Sequence, residues 1–221
     1  MKAMDGNRPF YFKDCALIAI ATGVRAQTLV EFRDKLAAIP PACIFYHFWA
    51  SHLDSAIEHY EYQNDFSKWC HLELHDDFLA ERLDLLNPAE YKDVESLRAD
   101  IIEIIEGRLD EVDAIPFSKR ENQFHFIRST IVVFNTSYEI SEPRELLALL
   151  PQLSRSSIFY HFIDSKRRTP EAINDFSAWL RDFNGLYASL IEQLDSIDSY
   201  YLSLTDLKQK LIDLFKEYFK V

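Results

Sequence analysis

Apolar residues occur along this chain in two patterns, as short continuous runs and as stripes with helical spacing. The continuous runs are Cys15–Ala21 and Ser129–Asn135. The second run is rich in β-branched and aromatic residues, which favours a buried β-strand at both places. A single strand leaves its backbone N–H and C=O groups without partners. We therefore predict that the two strands pair with each other or with the strands of a second subunit.

The stripes with helical spacing predict several helices in the first half of the chain. The most regular stripe contains Leu97, Ile101 and Ile105, which lie on one face of a helix. The start at Asn64 or Asp65 has a good N-cap, because the side-chain oxygen of either residue accepts a free backbone N–H of the first turn. The predicted helices begin at Thr28, near Ala42, at Asn64 or Asp65, after Asp76 or Asp77, and near Val94.

The chain also repeats itself. A shift of 114 positions places Ile44–Phe48 on Ile158–Phe162, with five identities in a row. A shift of 110 positions then places Asn64–Ser67 on Asn174–Ser177. Chance does not order so many aromatic residues twice, so the pattern indicates an internal duplication.

This duplication predicts the domain organisation and the fold class. We expect a first repeat unit over residues 1–112, a linker over 113–123 and a second repeat unit over 124–221. The predicted fold is α+β and predominantly α-helical, with a duplicated unit of one strand and several helices. We expect pseudo-twofold packing of the two copies into one compact domain, because neither copy alone buries a large core.

Composition and charge narrow the function. The net charge of −12 disfavours binding to nucleic acids and anionic membranes. No apolar run is long enough to span a bilayer, and no signal peptide is recognisable at the start. Gly-rich phosphate-binding motifs are absent, so no cofactor is predicted. The three cysteines show no C-x-x-C spacing, which favours a reducing, cytoplasmic location.

The Phe-Tyr-His-Phe segment occurs in both copies and supplies the first candidate site residues, Tyr46 and His47 with Tyr160 and His161. In one interpretation the two histidines face each other, or each of them faces its own pocket, and they act as acid–base groups or as ligands. In the other, each histidine is structural and bonds a backbone carbonyl or the acidic cap of the next helix. The pattern leaves both interpretations open and favours the structural one.

The Asn-Asp-Phe-Ser-x-Trp segment, also present twice, supplies Asn64, Asp65, Asn174 and Asp175 as further candidates. An Asn or Asp at a helix start is sufficiently explained as an N-cap. Alternatively, the two aspartates lie beside the two histidines and form His–Asp pairs. Both interpretations stay open at this point.

A metal site receives little support from the sequence. His71 and His75 are four residues apart, a spacing that lets two histidines on one helix share a metal ion. The second copy has Arg181 and Gly185 at the corresponding positions, and the glutamate of a zinc-peptidase helix is missing. We therefore predict no metal ligands.

The motifs, in their order along the chain, resemble a bacterial domain family of unknown function. They are Phe-x-Phe followed by Thr22-Gly23, then Ile-Phe-Tyr-His-Phe, and then Asn-Asp-Phe-x-x-Trp. The resemblance covers Phe10 to about Leu109. The second copy departs from it at Ser137, which replaces Gly23. The resemblance implies the domain and supplies no catalytic residues.

Together, these patterns favour a soluble interaction module or small-ligand-binding module. Its expected partner is a second copy of itself, in a homodimer, or an unidentified protein. The alternative is an enzyme that acts on a small polar metabolite through His–Asp acid–base chemistry, and it predicts that the two residue types meet in a cleft.

Overall fold

Two long strands and a series of helices make up the part of the chain that the computed structural model describes, residues 8–53, 61–169 and 171–220. Strands β1 (Phe10–Ala26) and β2 (Phe124–Ile140) form a two-stranded sheet. The predicted pairing of the two strands with each other is confirmed. The predicted fold class, α+β and predominantly helical, is confirmed as well.

The two strands run antiparallel. The Thr22 hydroxyl donates to the carbonyl of Phe126 at 2.6 Å, and the Thr136 hydroxyl donates to the carbonyl of Phe12 at 2.7 Å. The end of each strand thus lies beside the start of the other.

Four helices of the first half begin directly after a capping residue. Thr28 caps α1 with its hydroxyl, Asn64 caps α3, Asp76 caps α4 and Asp93 caps α5. In each case the side chain accepts a backbone N–H of the first turn. The bounds are α1 Leu29–Ala38, α2 Pro41–Leu53, α3 Asp65–Leu72, α4 Asp77–Asp84 and α5 Val94–Glu111.

The second half breaks the same helices into shorter pieces. Pro143 begins a 3₁₀ turn before α6, in the first-turn position that its missing N–H allows. A π-helical segment, Phe159–Asp164, lies between α7 and α8. The bounds are α6 Leu146–Leu149, α7 Arg155–Ile158, α8 Ser165–Arg168, α9 Asp175–Leu180, α10 Ala188–Asp195 and α11 Leu204–Phe219.

Contacts divide the chain into two compact units. The His47 unit is formed by the described residues of 17–131, and the His161 unit by the described residues of 1–16 and 132–221. Each unit therefore contains the helices of one repeat, the later half of one strand and the first half of the other. The predicted boundaries follow the sequence repeat, whereas these units follow the packing.

The strands are buried at their ends and exposed in the middle. Phe10, Phe12, Phe124 and Phe126 are at most 8% exposed. By contrast, large side chains of the two predicted buried runs are open to solvent, with exposed fractions of 48% for Ile18, 43% for Val132, 40% for Val133 and 49% for Phe134. The prediction that these runs are buried throughout is therefore wrong. Within the described residues the sheet has two strands, and packing against the helices covers their ends but not their centres.

Candidate functional site

His47 lies in the core of its unit and bonds through both ring nitrogens. Helix α2 carries it, and its side chain is 3% exposed. Its Nδ1 lies 2.9 Å from Oδ2 of Asp65, and its Nε2 accepts the backbone N–H of Ile127 at 3.0 Å. Since Nε2 accepts a hydrogen bond, the proton of the neutral ring is on Nδ1, which donates to the carboxylate. The imidazole thus joins Asp65, the first residue of the helix capped by Asn64, to strand β2.

His161 makes the same set of bonds in the other unit. The π-helical segment carries it, and its side chain is also 3% exposed. Its Nδ1 lies 2.8 Å from Oδ2 of Asp175, and its Nε2 accepts the backbone N–H of Lys13 at 2.9 Å. The sequence interpretation expected a backbone carbonyl or the acidic cap as partner. The carboxylate is present, and the backbone group is an N–H.

Each histidine is enclosed by aromatic rings that come from the entering strand and from the following helix. The ring centroid of His47 lies 4.7 Å from that of Phe124 and 5.2 Å from that of Phe66. The ring of His161 lies 5.0 Å from that of Phe10 and 5.9 Å from that of Phe176. In both units, therefore, the Phe-x-Phe strand start packs onto helices of the other sequence repeat.

A tryptophan holds the same strand start in each unit. The indole N–H of Trp69 donates to the carbonyl of Asn122 at 2.9 Å, and that of Trp179 donates to the carbonyl of Arg8 at 2.9 Å. We call His47 with Trp69, and His161 with Trp179, the strand anchors. Because they bond backbone atoms, the anchors fix the path of the strand without depending on its side chains.

The two candidate tyrosines border the histidines and make ring contacts. Tyr46 meets His47 edge-on at 5.1 Å, and Tyr160 meets His161 edge-on at 5.0 Å. The guanidinium of Arg168 lies 4.0 Å from the ring centre of Tyr160. Burial raises the pKa of Tyr160, and the nearby Arg168 opposes that rise.

The two candidate asparagines cap the helix that follows each of them. Asn64 accepts the N–H of Ser67 and donates to the carbonyl of Leu83. Asn174 accepts the N–H of Ser177 and donates to Oδ1 of Asp195 at 3.1 Å. Both asparagines are fully buried. They belong to the caps of α3 and α9.

Sequence reasoning missed the two aspartates that complete these caps. Asp84 accepts the hydroxyl of Ser67 at 3.0 Å, and Asp195 accepts the hydroxyl of Ser177 at 2.8 Å. Neither repeat offset of the sequence pairs these aspartates with each other, because the copies match poorly between Trp69 and Tyr91. Their equivalence appears only when the shared partner, a serine of the motif, is known.

The His161 unit contains an ion-pair network that the sequence did not indicate. Asp164 is 1% exposed and accepts Arg167 at 2.7 Å and Arg168 at 2.9 Å. Arg168 also donates to Asp175 at 3.0 Å, the carboxylate that His161 contacts. A buried carboxylate needs such partners because desolvation penalises its charge. The corresponding position of the first copy is Ala50.

The structure separates the pair of histidines considered for metal binding. Helix α3 ends at Leu72, and His75 follows it in the left-handed region with φ 53°. His71 contacts Asp77 through Nδ1 at 2.6 Å. Within residues 8–53, 61–169 and 171–220, no group of three or more His, Cys, Asp or Glu side chains is arranged to hold a metal ion.

A surface cavity of about 380 Å³ lies on α4 and α5 and is lined by Arg82, Asp100, Glu103, Ile104 and Gly107. None of the eight candidate site residues lines it.

Among the described helices, none combines the length and the apolar character that a membrane crossing requires.

Comparison with known proteins gives a family and a fold relative. The family model described as "Family of unknown function (DUF5752)" matches residues 7–216. The chain is similar to a solved structure, "The structure of OrfY from Thermoproteus tenax", with 27% identity and a TM-score of 0.82. That similarity covers 98% of each chain. Among curated proteins, none matches the sequence.

Proposed function

Because the chain belongs to the Family of unknown function (DUF5752), whose description assigns no activity, we propose a role from its own geometry. The role is that of a non-catalytic protein-interaction module. The observation that carries it is the exposed apolar centre of strand β2, which we call the β2 centre and define as Val132, Val133 and Phe134. These three consecutive side chains are each at least 40% exposed.

The β2 centre exposes large apolar side chains on both faces of the strand, which is unusual for a protein surface that no partner covers. Consecutive residues of a strand point to opposite faces, so exposure of all three means that both faces of β2 are open here. Large apolar side chains that cluster on a surface mark interaction sites more often than scattered ones do. The acidic net charge of −12 favours a protein partner over a nucleic acid.

The His–Asp pairs support a structural role more than acid–base catalysis. A general acid or base must exchange its proton with a substrate within hydrogen-bond reach. Both ring nitrogens of His47 and of His161 already bond protein groups, and both side chains are 3% exposed. A substrate would have to displace a strand to reach either ring.

The proposal is tested by site-specific photo-crosslinking of the full chain in cells. A photoreactive phenylalanine analogue replaces Phe134 in one variant and Phe117, which is 69% exposed and lies outside β1 and β2, in the control. We expect a discrete covalent protein adduct from position 134 and none from position 117. Equal adduct yields at the two positions, or none at either, would contradict the proposal.

A further inference from the structure

We propose that the outer edge of strand β2 pairs antiparallel with the same edge of a second copy of this chain. The inference rests on the proposed interaction function and names its partner. Within the described residues, β1 is the only strand that pairs with β2. One edge of β2 therefore presents N–H and C=O groups that no strand satisfies.

The bond to His47 shows which residues face that edge. The N–H of Ile127 points away from β1, because it donates to His47. In an antiparallel ladder the backbone groups of alternate residues point to the same side. Residues 129, 131, 133 and 135 therefore present their N–H groups outward. His47 covers the edge at Ile127, whereas Val133 is 40% exposed.

When two copies of β2 run antiparallel, the residues on either side of Val133 lie opposite residues with which they pair favourably. With Val133 at the twofold axis, Val132 lies opposite Phe134 of the second copy, on the same face. Arg128 lies opposite Tyr138 of the second copy, and Tyr138 is 38% exposed. Pairs of an aromatic with a β-branched residue stabilise neighbouring strands, and a guanidinium is attracted to an aromatic face. Each pair occurs twice in the twofold arrangement.

The charges of β2 fit the same arrangement. Residues 129–138 carry no charge, and Arg128 and Glu139 stand at the two ends of this stretch. Neither forms an ion pair with any described residue. In the antiparallel arrangement residues 129–137 of one copy lie opposite residues 137–129 of the other, so the contact brings uncharged residues together and buries no charge between them. This complementarity of β2 with itself favours a second copy as the occupant.

The first test measures mass and uses proline to block one edge at a time. We expect the unmodified chain to sediment at twice its monomer mass of 26.0 kDa. Val133→Pro removes one outward N–H and leaves the ladder to β1 intact, so the dissociation constant should rise at least about tenfold. Ala19→Pro is the matched control, because alternation from Lys13 places the N–H of Ala19 on the outer edge of β1. This control should leave the dimer unchanged.

The second test fixes the register and does not depend on the proline variants folding. Directly opposed residues of a hydrogen-bonded pair have Cα atoms about 5.5 Å apart, within the range that a disulfide spans. Val133→Cys should therefore form an intermolecular disulfide under mild oxidation. Asn135→Cys, which faces residue 131 of the second copy, should not. Burial raises the pKa of the native Cys15 thiol to about 12 and those of Cys43 and Cys70 above their usual range, which keeps these thiols unreactive.

The outcomes separate this inference from the proposed function. A monomer at every concentration, with no disulfide at position 133, overturns the inference. If position 134 then crosslinks to a different protein, the interaction function stands and only the choice of partner fails. If position 134 gives no specific adduct either, both fail. A dimer lost in Ala19→Pro and kept in Val133→Pro assigns the contact to β1 and also overturns the inference.

Discussion

The two units hold the same histidine in different surroundings. In the His47 unit the ring projects from a regular α-helix, and among the described residues Asp65 pairs with His47 at 2.9 Å and with Lys68 at 3.9 Å. In the His161 unit the ring projects from a π-helical segment, and Arg168 binds the equivalent Asp175 at 3.0 Å. The bond from Nε2 to the strand is nevertheless the same in both units. Both units share the strand anchor, and they differ in the helix that carries the histidine and in the ion pairs of the aspartate that holds its ring.

This comparison explains why a motif can be kept while the helix around it changes. The histidine of each strand anchor needs one acceptor nitrogen at the strand edge and one carboxylate that holds the ring. A π-turn inserts one residue into a helix and is common where a helix serves a specific contact. In the His161 unit, this turn accompanies a buried Asp164 and its two arginines. The geometry of the anchor is thus reached by two different helices.

Removal of the anchoring histidines should have the largest effect. His47→Ala and His161→Ala each delete a buried ring and leave a strand N–H without an acceptor. We expect each to lower the free energy of unfolding by about 3 kcal/mol. Urea unfolding measures the loss, and amide exchange by NMR locates it. The Ile127 amide should lose protection in the first variant only, and the Lys13 amide in the second only.

His71→Ala serves as the control for these two variants. Its side chain is 30% exposed, and it contacts the exposed Asp77. The change should cost at most about 0.5 kcal/mol. If the anchor variants unfold no more easily than this control, the rings do not hold the strands. If both amides lose protection in both variants, the two anchors are not independent.

Removal of an arginine from the ion-pair network of the His161 unit should lower stability by an intermediate amount, and removal of the lysine in the His47 unit should lower it less. Arg168→Ala removes one of two partners of the buried Asp164 and uncovers Tyr160. The side chain of Arg168 is 30% exposed, so solvent screening reduces the loss, and we expect about 2 kcal/mol. Lys68→Ala, in the His47 unit, should change stability by less than about 0.5 kcal/mol. Urea unfolding of the pair of variants checks this ranking.

The effect of Arg168→Ala should be confined to the His161 unit. In Arg168→Ala, amide exchange should accelerate in the π-helical segment 159–164, while α2 keeps the protection of the unmodified chain. Equal losses of stability in Arg168→Ala and Lys68→Ala would contradict the prediction, because the two units would then depend equally on their ion pairs.

Local chemistry made most of the helices predictable from sequence. A cap requires only an oxygen at the right position relative to the N–H groups of the next turn, as Thr28 and Asn64 show. The His–Asp contact was one of two open interpretations, because the motif with the histidine precedes the motif with the aspartate in both copies. The repeat supported both, since each copy carries the same pair.

Long-range packing was less predictable. Two similar copies offer two similar sets of helices, so the sequence does not say which set receives the start of a strand. The structure places Phe10 against Phe176 at 5.5 Å, and Phe124 against Phe66 at 5.4 Å. The exposed strand centres were mistaken for core for a related reason: an apolar run reports hydrophobicity, and the number of layers that cover it is a property of the fold.

Backbone differences between the copies were equally hidden. Gly23 adopts φ +78° in β1, a value that favours glycine, whereas Ser137 is at the equivalent position of β2. Ser137 is not among the non-glycine residues with positive φ. The preceding threonines, Thr22 and Thr136, each bond across the sheet all the same. The cross-strand contact therefore tolerates two backbone conformations after it.

The smallest predicted effect concerns the last helix of each repeat, where the two copies use different caps. Asp93 caps α5 and Ser203 caps α11. The N–H and the hydroxyl of Ser96 bond the Asp93 carboxylate and lower its pKa. An acid whose pKa is lower in the folded state stabilises the fold above its unfolded pKa, and that stability is lost as the pH falls through the lowered folded value. Ser203 does not titrate in this range.

Asp93→Ser should therefore remove the pH dependence that the cap of α5 has and the cap of α11 lacks. A serine keeps an acceptor for the N–H of residue 96 and removes the charge, so stability near neutral pH should fall slightly while the loss between pH 5 and pH 2 becomes smaller. Urea midpoints across that range measure the slope. Ser203→Asn, an exchange of one uncharged cap for another, should leave the slope unchanged. An unchanged acid slope in Asp93→Ser would mean that the cap contributes equally with and without its charge, and the difference between the two caps would then have no thermodynamic consequence.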